Sequence, residues 1–184
     1  MKKHILLICS VILCTACLGA TRSVQTKIEG KYYNEIAKKW YPKPLEVYVD
    51  DSGSFYISAG DRAVTAAAVM KLDKLDAVIA AFQKGQEWAK KAKEGEVEIS
   101  KDIDAFMTKI GSNKETGIKI TFFSANKGKQ TDVILLVKDF GNMFKKVELY
   151  LEPSQVEALI GALKLVPDTC KELKEQAKKA EDFK

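Results

Sequence analysis

From Leu45 onward the apolar residues change period from two to nearly four, and they do so twice in the same order. Leu45, Val47 and Val49 alternate with Glu46, Tyr48 and Asp50. After the turn signal Asp50-Asp51-Ser52-Gly53, Phe55, Ile57 and Ala59 alternate with Tyr56 and Ser58. Successive side chains on a strand point to opposite faces, so these two runs make an antiparallel hairpin with one apolar face. The run from Ala63 to Leu72 is small and β-branched and is predicted as a third strand. Leu75, Val78, Ile79, Phe82 and Ala89 then recur at helical spacing, which predicts an amphipathic helix over Lys74 to Glu94 with Asp73 as N-cap and Gly95 as its stop. Gly85 is the weak point of that helix. Residues from Glu96 to Glu115 are a mixed stretch without a sustained period.

The second half follows the same plan. An alternating run over 117–124, a turn at Asn126-Lys127-Gly128, an apolar strand from Val133 to Val137, a turn at Gly141-Asn142 and a third strand through Val147, Leu149 and Leu151 precede a second helix. Pro153 suits its first turn, Val156, Leu159, Ile160 and Leu163 make its buried stripe, and Pro167 is expected to kink or break it. At an offset of 81 residues Leu75 falls on Val156, Ile79 on Ile160 and Phe82 on Leu163, so both isoleucines are expected to be buried. The expectation is an α+β fold, antiparallel strands with two amphipathic helices, in a single domain over 25–184 with candidate repeats at 45–95 and 117–184, each of three strands closed by a helix. In element order this resembles the whirly-type single-stranded nucleic-acid binding proteins. The resemblance implies architecture alone: the chain carries little net charge and no basic stripe among its aromatics, so no nucleic acid is expected as a partner.

The N-terminus has its own logic. Lys2, Lys3 and His4 precede an apolar run from Ile5 to Leu18, the basic and hydrophobic regions of a bacterial secretory signal, and its 14 residues are too few to span a bilayer. Cys14-Thr15-Ala16-Cys17 resembles the lipobox of bacterial lipoproteins, with Cys14 where leucine is commonest. That resemblance implies a signal peptide over 1–16, a lipid on Cys17, a tether over 17–24, the membrane as a partner through the anchor, and a place in the bacterial cell envelope, periplasmic or on the outer surface. Cys14 and Ala16 also fit the small-x-small rule for cleavage of an unlipidated secreted protein.

Removal of that signal takes away the one histidine, His4, with Cys9 and Cys14, and a lipid on Cys17 occupies the third cysteine, leaving Cys170 as the one thiol of the body. Nucleophile systems built on histidine and histidine metal sites are then excluded, and so is any intrachain disulfide. Cys170 lies in a helical apolar stripe and reads as a buried structural thiol. Asp50-Asp51-Ser52-Gly53-Ser54 lacks the ligand alternation of a calcium loop, and Asp102 and Asp104 supply only two side chains, so no metal, cofactor or catalytic residue is assigned.

The sheet face opposite the helices is the remaining lead. By alternation it carries Tyr48 and Tyr56 in the first half and Tyr150 in the second, with either Phe123, Lys119 and Thr121 or Phe122, Ile118 and Ile120 beside it. Seven of the sixteen aromatics fall between Tyr32 and Tyr56. Tyr48, Tyr56 and Tyr150 are the candidate binding residues, for an envelope protein or a glycan; the structural alternative is that they pack under the segment from Ile28 to Pro44. The functional expectation is a non-enzymatic exported envelope lipoprotein that binds a protein partner or a saccharide. The alternative is a carboxylate-dependent hydrolase or saccharide-processing enzyme.

Overall fold

The computed structural model describes residues 21–61, 65–110, 114–139, 141–142 and 145–181. The signal region with Cys17 lies outside the described residues. The strands are β1 (Thr21–Asn34), β2 (Lys39–Asp50), β3 (Ser54–Gly60), β4 (Thr65–Lys71), β5 (Ile99–Ile110), β6 (Lys114–Ala125), β7 (Gln130–Lys138) and β8 (Lys146–Leu151), and the helices are α1 (Leu75–Glu94) and α2 (Pro153–Glu181). The strands form one antiparallel sheet in the order β4-β3-β2-β1-β8-β7-β6-β5. The fold is α+β, as the switches of period predict.

Alternation decides which face of the sheet is buried. Leu45, Val47 and Val49 of β2, Phe55, Ile57 and Ala59 of β3, and Leu135 and Val137 of β7 have no exposed surface. In β6 the inward set is Ile118, Ile120 and Phe122, which leaves Phe123, Lys119 and Thr121 outward. Burial of each valine, leucine, isoleucine or phenylalanine in this set contributes about 1.5–3 kcal/mol, enough to fix the register, because a slip by one residue would turn the whole set to solvent. The sheet curls around this apolar face until β4 approaches β6 and β7, where the Ala67 amide donates to Asp139 Oδ2 at 3.0 Å.

Both helices fill the concave side, and they do so crosswise. α1, from the first half, lies against β5, β6 and β7, while α2, from the second half, lies mainly against β1 and β2. Each helix thus covers strands of the other half, and the two halves share one core.

Several expectations change. Each half has four strands before its helix rather than three, because β1 and β5 were not legible. The tether expected over 17–24 ends earlier, since β1 begins at Thr21 and Val24 is buried. Asp73 is not the N-cap of α1. The chain leaves β4 through a 3-10 turn at Leu72–Lys74, the cap position falls on Lys74, and no side chain closes it. Pro167 does not break α2, which is continuous through it. Pro167 itself is exposed while Val166 and Cys170 on either side are buried, so packing on both flanks outweighs the one hydrogen bond that proline removes. Ile160 is buried, but its repeat counterpart Ile79 is only half-buried against the core. Cys170 is buried, with its Sγ 3.5 Å from the Asp50 carbonyl oxygen.

Candidate functional site

The three tyrosines chosen by alternation do point outward, but the register divides them between two places. Tyr48 and Tyr56 stand directly opposite each other across β2 and β3. Tyr150 pairs with Lys31 of β1, which in turn pairs with Pro42 of β2. Tyr48 lies six residues beyond Pro42 on the same strand, which is about 20 Å at the usual rise of a strand.

At the first place the hydroxyls are engaged by neighbouring acids. Tyr48 donates to Glu46, and Tyr56 donates to Asp50 Oδ2 at 2.7 Å. Burial, and then these acceptors, push both phenols well above the ordinary tyrosine range, so both rings remain neutral donors. Asp50 follows from the turn it ends: its Oδ1 accepts from Ser52 Oγ at 2.7 Å and from the Ser54 amide at 2.9 Å. Burial alone would raise the Asp50 carboxyl, but the Ser52, Ser54 and Tyr56 donors outweigh it and hold the group below the ordinary range. Gly53 closes the turn at φ +91, a backbone angle that suits glycine.

At the second place the rings contact one another. Tyr33 and Trp40 are cross-strand partners on β1 and β2, with centroids 5.1 Å apart. Tyr150 of β8 meets Trp40 edge-on at 4.9 Å and 84°. Tyr33 and Tyr150 are half-buried, whereas Trp40 keeps 51% of its surface exposed. Burial, with Glu148 alongside, pushes the Tyr150 hydroxyl up as well. The hairpin that carries this wall is stiffened at its tip, where Asn34 Oδ1 accepts from the amides of Ile36 at 3.0 Å and Ala37 at 2.8 Å.

A groove of about 810 Å³ begins where the wall ends. Lys31, the register partner of Tyr150, is ion-paired with Glu152 at its edge, and that contact raises the lysine pKa. Lys90 and Lys93 of α1, Lys129 and the carboxylates of Asp132 and Glu157 complete its charged lining. Asp132 is 6% exposed and accepts from Gln130 Nε2 at 3.2 Å. Burial pushes its carboxyl above the ordinary range; Gln130 and Lys31 act against the shift and Glu152 adds to it. The result is an exposed aromatic ring beside a polar groove that carries both donors and acceptors, the combination that holds a polyhydroxylated ligand. Of the acids at 102 and 104, Asp102 bridges Lys119 at 2.8 Å and Thr121 at 2.9 Å, and Asp104 Oδ1 accepts from the Ala105 amide at 2.7 Å. Among the described residues no three His, Cys, Asp or Glu side chains converge as metal ligands.

Trp40 and Tyr33 had a sequence signal in the crowding of aromatics before Tyr56. Lys31, Asp132 and Glu152 had none, because they lie on β1, on β7 and just after β8, strands that only the order β1-β8-β7 sets side by side. No family model and no curated protein matches the chain. Among solved structures, it is similar to SsgB, a protein described in connection with longitudinal cell division during sporulation of Streptomyces coelicolor. The TM-score is 0.38 at 9% identity, over 86% of this chain and 98% of that one.

Proposed function

We propose that this protein is an exported envelope lipoprotein, anchored through Cys17, that binds a saccharide without transforming it. The observation that carries the binding reading is the wall of Tyr33, Trp40 and Tyr150, where a half-exposed indole is held by two neighbours beside a groove of mixed charge. Sugar rings stack their apolar faces on such an indole, and their hydroxyls bond to side chains like those of Lys31, Asp132 and Glu152. Tyr150 belongs to this site. Tyr48 and Tyr56, with their hydroxyls bound to Glu46 and Asp50, support the β2–β3 hairpin in this reading.

Co-sedimentation with insoluble envelope polysaccharide tests it. Binding should fall at least about tenfold in Trp40→Ala, the loss usual for a central aromatic contact, and persist in Tyr48→Phe. Equal sedimentation of wild type and Trp40→Ala contradicts the site. The anchor has its own test: a palmitate analogue fed to the producing cells should label the wild type and not Cys17→Ala, and equal labelling of both defeats lipidation.

One observation favours a second reading. A buried carboxyl pushed up in pKa, Asp132, shares a groove with a second acid, Glu152, and two acids in one cleft are what carboxylate-dependent hydrolases of saccharides use. Release of reducing ends, abolished by Asp132→Asn, would establish it.

A further inference from the structure

A second cavity, of about 310 Å³, lies between the C-terminal half of α1 and the start of β5. Its floor is aromatic: the Trp88 ring stands edge-on to Phe122 at 5.9 Å and 80°. Its mouth is aliphatic and open, with Val97 45% and Ile99 40% exposed. Large apolar side chains left half-bare around a concave surface are the usual mark of a binding site.

The charged side chains that line this cavity are of one sign. Lys84 Nζ and Lys101 Nζ lie over the Trp88 ring at 5.1 and 5.5 Å from its centroid. Lys91 and Lys101 belong to the lining, and no carboxylate does, whereas the groove at Asp132 mixes both signs. We propose that the cavity binds a single-chain aliphatic anion of the fatty-acid type, with its tail against Trp88, Phe122, Val97 and Ile99 and its carboxylate at the lysines. The volume is at the lower end of small-ligand pockets, which fits one tail and not a folded partner. A headgroup that reaches Lys84 and Lys101 finds two cations already gathered on one ring, where their attraction to the ring face holds them ready. This inference is independent of the saccharide reading, since Trp40 and the Asp132 groove take no part in it.

The chain has two tryptophans, so Trp40→Phe leaves Trp88 as the only indole reporter. In that background laurate, kept below its micelle concentration, should give a saturable change in tryptophan emission. Acetate, which has the head without the tail, should give none, and dodecyltrimethylammonium, which has the tail with the opposite charge, should bind at least about tenfold more weakly. The exposed double substitution Lys84→Gln with Lys101→Gln, with folding checked by circular dichroism, should weaken laurate by about tenfold. A non-saturating response to laurate, equal binding of the cationic amphiphile, or unchanged laurate affinity in the double variant overturns the proposal.

Discussion

Asp50 and Asp132 are both nearly buried carboxylates, and their neighbours drive them in opposite directions. Asp50 is surrounded by donors, so its folded pKa lies below the ordinary value of 3.8. A depressed acid contributes stability that is present above the ordinary pKa and lost as pH falls through the folded one. Asp50→Asn should therefore lower the melting temperature at pH 7, with the deficit shrinking as the pH is taken below 3.8; an equal deficit at both ends would contradict the donor cage. Asp132 has the opposite sign. Burial disfavours its ionised form, so the charge costs stability above the folded pKa, and stability is regained as pH falls towards the ordinary value. Asp132→Asn keeps an acceptor for Gln130 and should raise the melting temperature at pH 7, an advantage that fades in acid; a lower melting temperature at pH 7 speaks against it. Groups kept in a groove against their own stability are where binding and chemistry concentrate. Alternation made the outward direction of Tyr48, Tyr56 and Tyr150 legible in the sequence. The partner of Tyr150 was not, because Trp40 reaches it through strand pairing over a hundred residues apart.

Among the elements, β2, β3, β6 and β8 were legible from an apolar period and β4 and β7 from their composition, while β1 and β5 were not legible. β1 is interrupted by a register shift between Val24 and Ile28, and β5 by one between Asp102 and Asp104, so neither keeps a period of two. β5 is also the last strand of the sheet and mostly exposed, which removes the need for an apolar face. The same sheet explains Gly85, the residue that weakens α1 by propensity. A Cβ there would lie 2.7 Å from Val133 Cγ2 and 3.3 Å from Ile103 Cδ1, so the glycine marks a close approach of α1 to β7 and β5. In an exposed helix Gly→Ala would stabilise by about 1 kcal/mol. Here overpacking of about 1–3 kcal/mol should outweigh it, so Gly85→Ala should lower stability in denaturant unfolding. Pairing it with Val133→Ala should return part of the loss beyond additivity. A gain in stability from Gly85→Ala alone would mean that the helix does not sit against Val133.

The whole molecule runs twice through four strands and a helix, and it cannot be divided between the two halves. α1 covers strands of the second half and α2 strands of the first, so each half alone would expose the face that the other half's helix buries. One unfolding transition is expected by both near- and far-ultraviolet circular dichroism, and a fragment over 21–95 should lack fixed tertiary structure. Two separate transitions would contradict the shared core. The distance from Cys17 to the first residue of β1 is four residues, at most about 14 Å of chain. With a lipid on Cys17, the body would be held close to the bilayer. The groove at Asp132 is lined by α1, by α2 and by Lys31 of β1, so it too exists only when both halves are assembled.

Titration of the purified protein with soluble fragments of envelope polysaccharide, followed by calorimetry with reducing ends assayed in the same samples, separates binding from turnover directly. Heat of binding in wild type and in Asp132→Asn, its loss in Trp40→Ala, and no reducing ends in any sample is the outcome for a saccharide-binding wall beside an inert groove. Reducing ends released by wild type and absent with Asp132→Asn, or binding indifferent to Trp40→Ala, would contradict it.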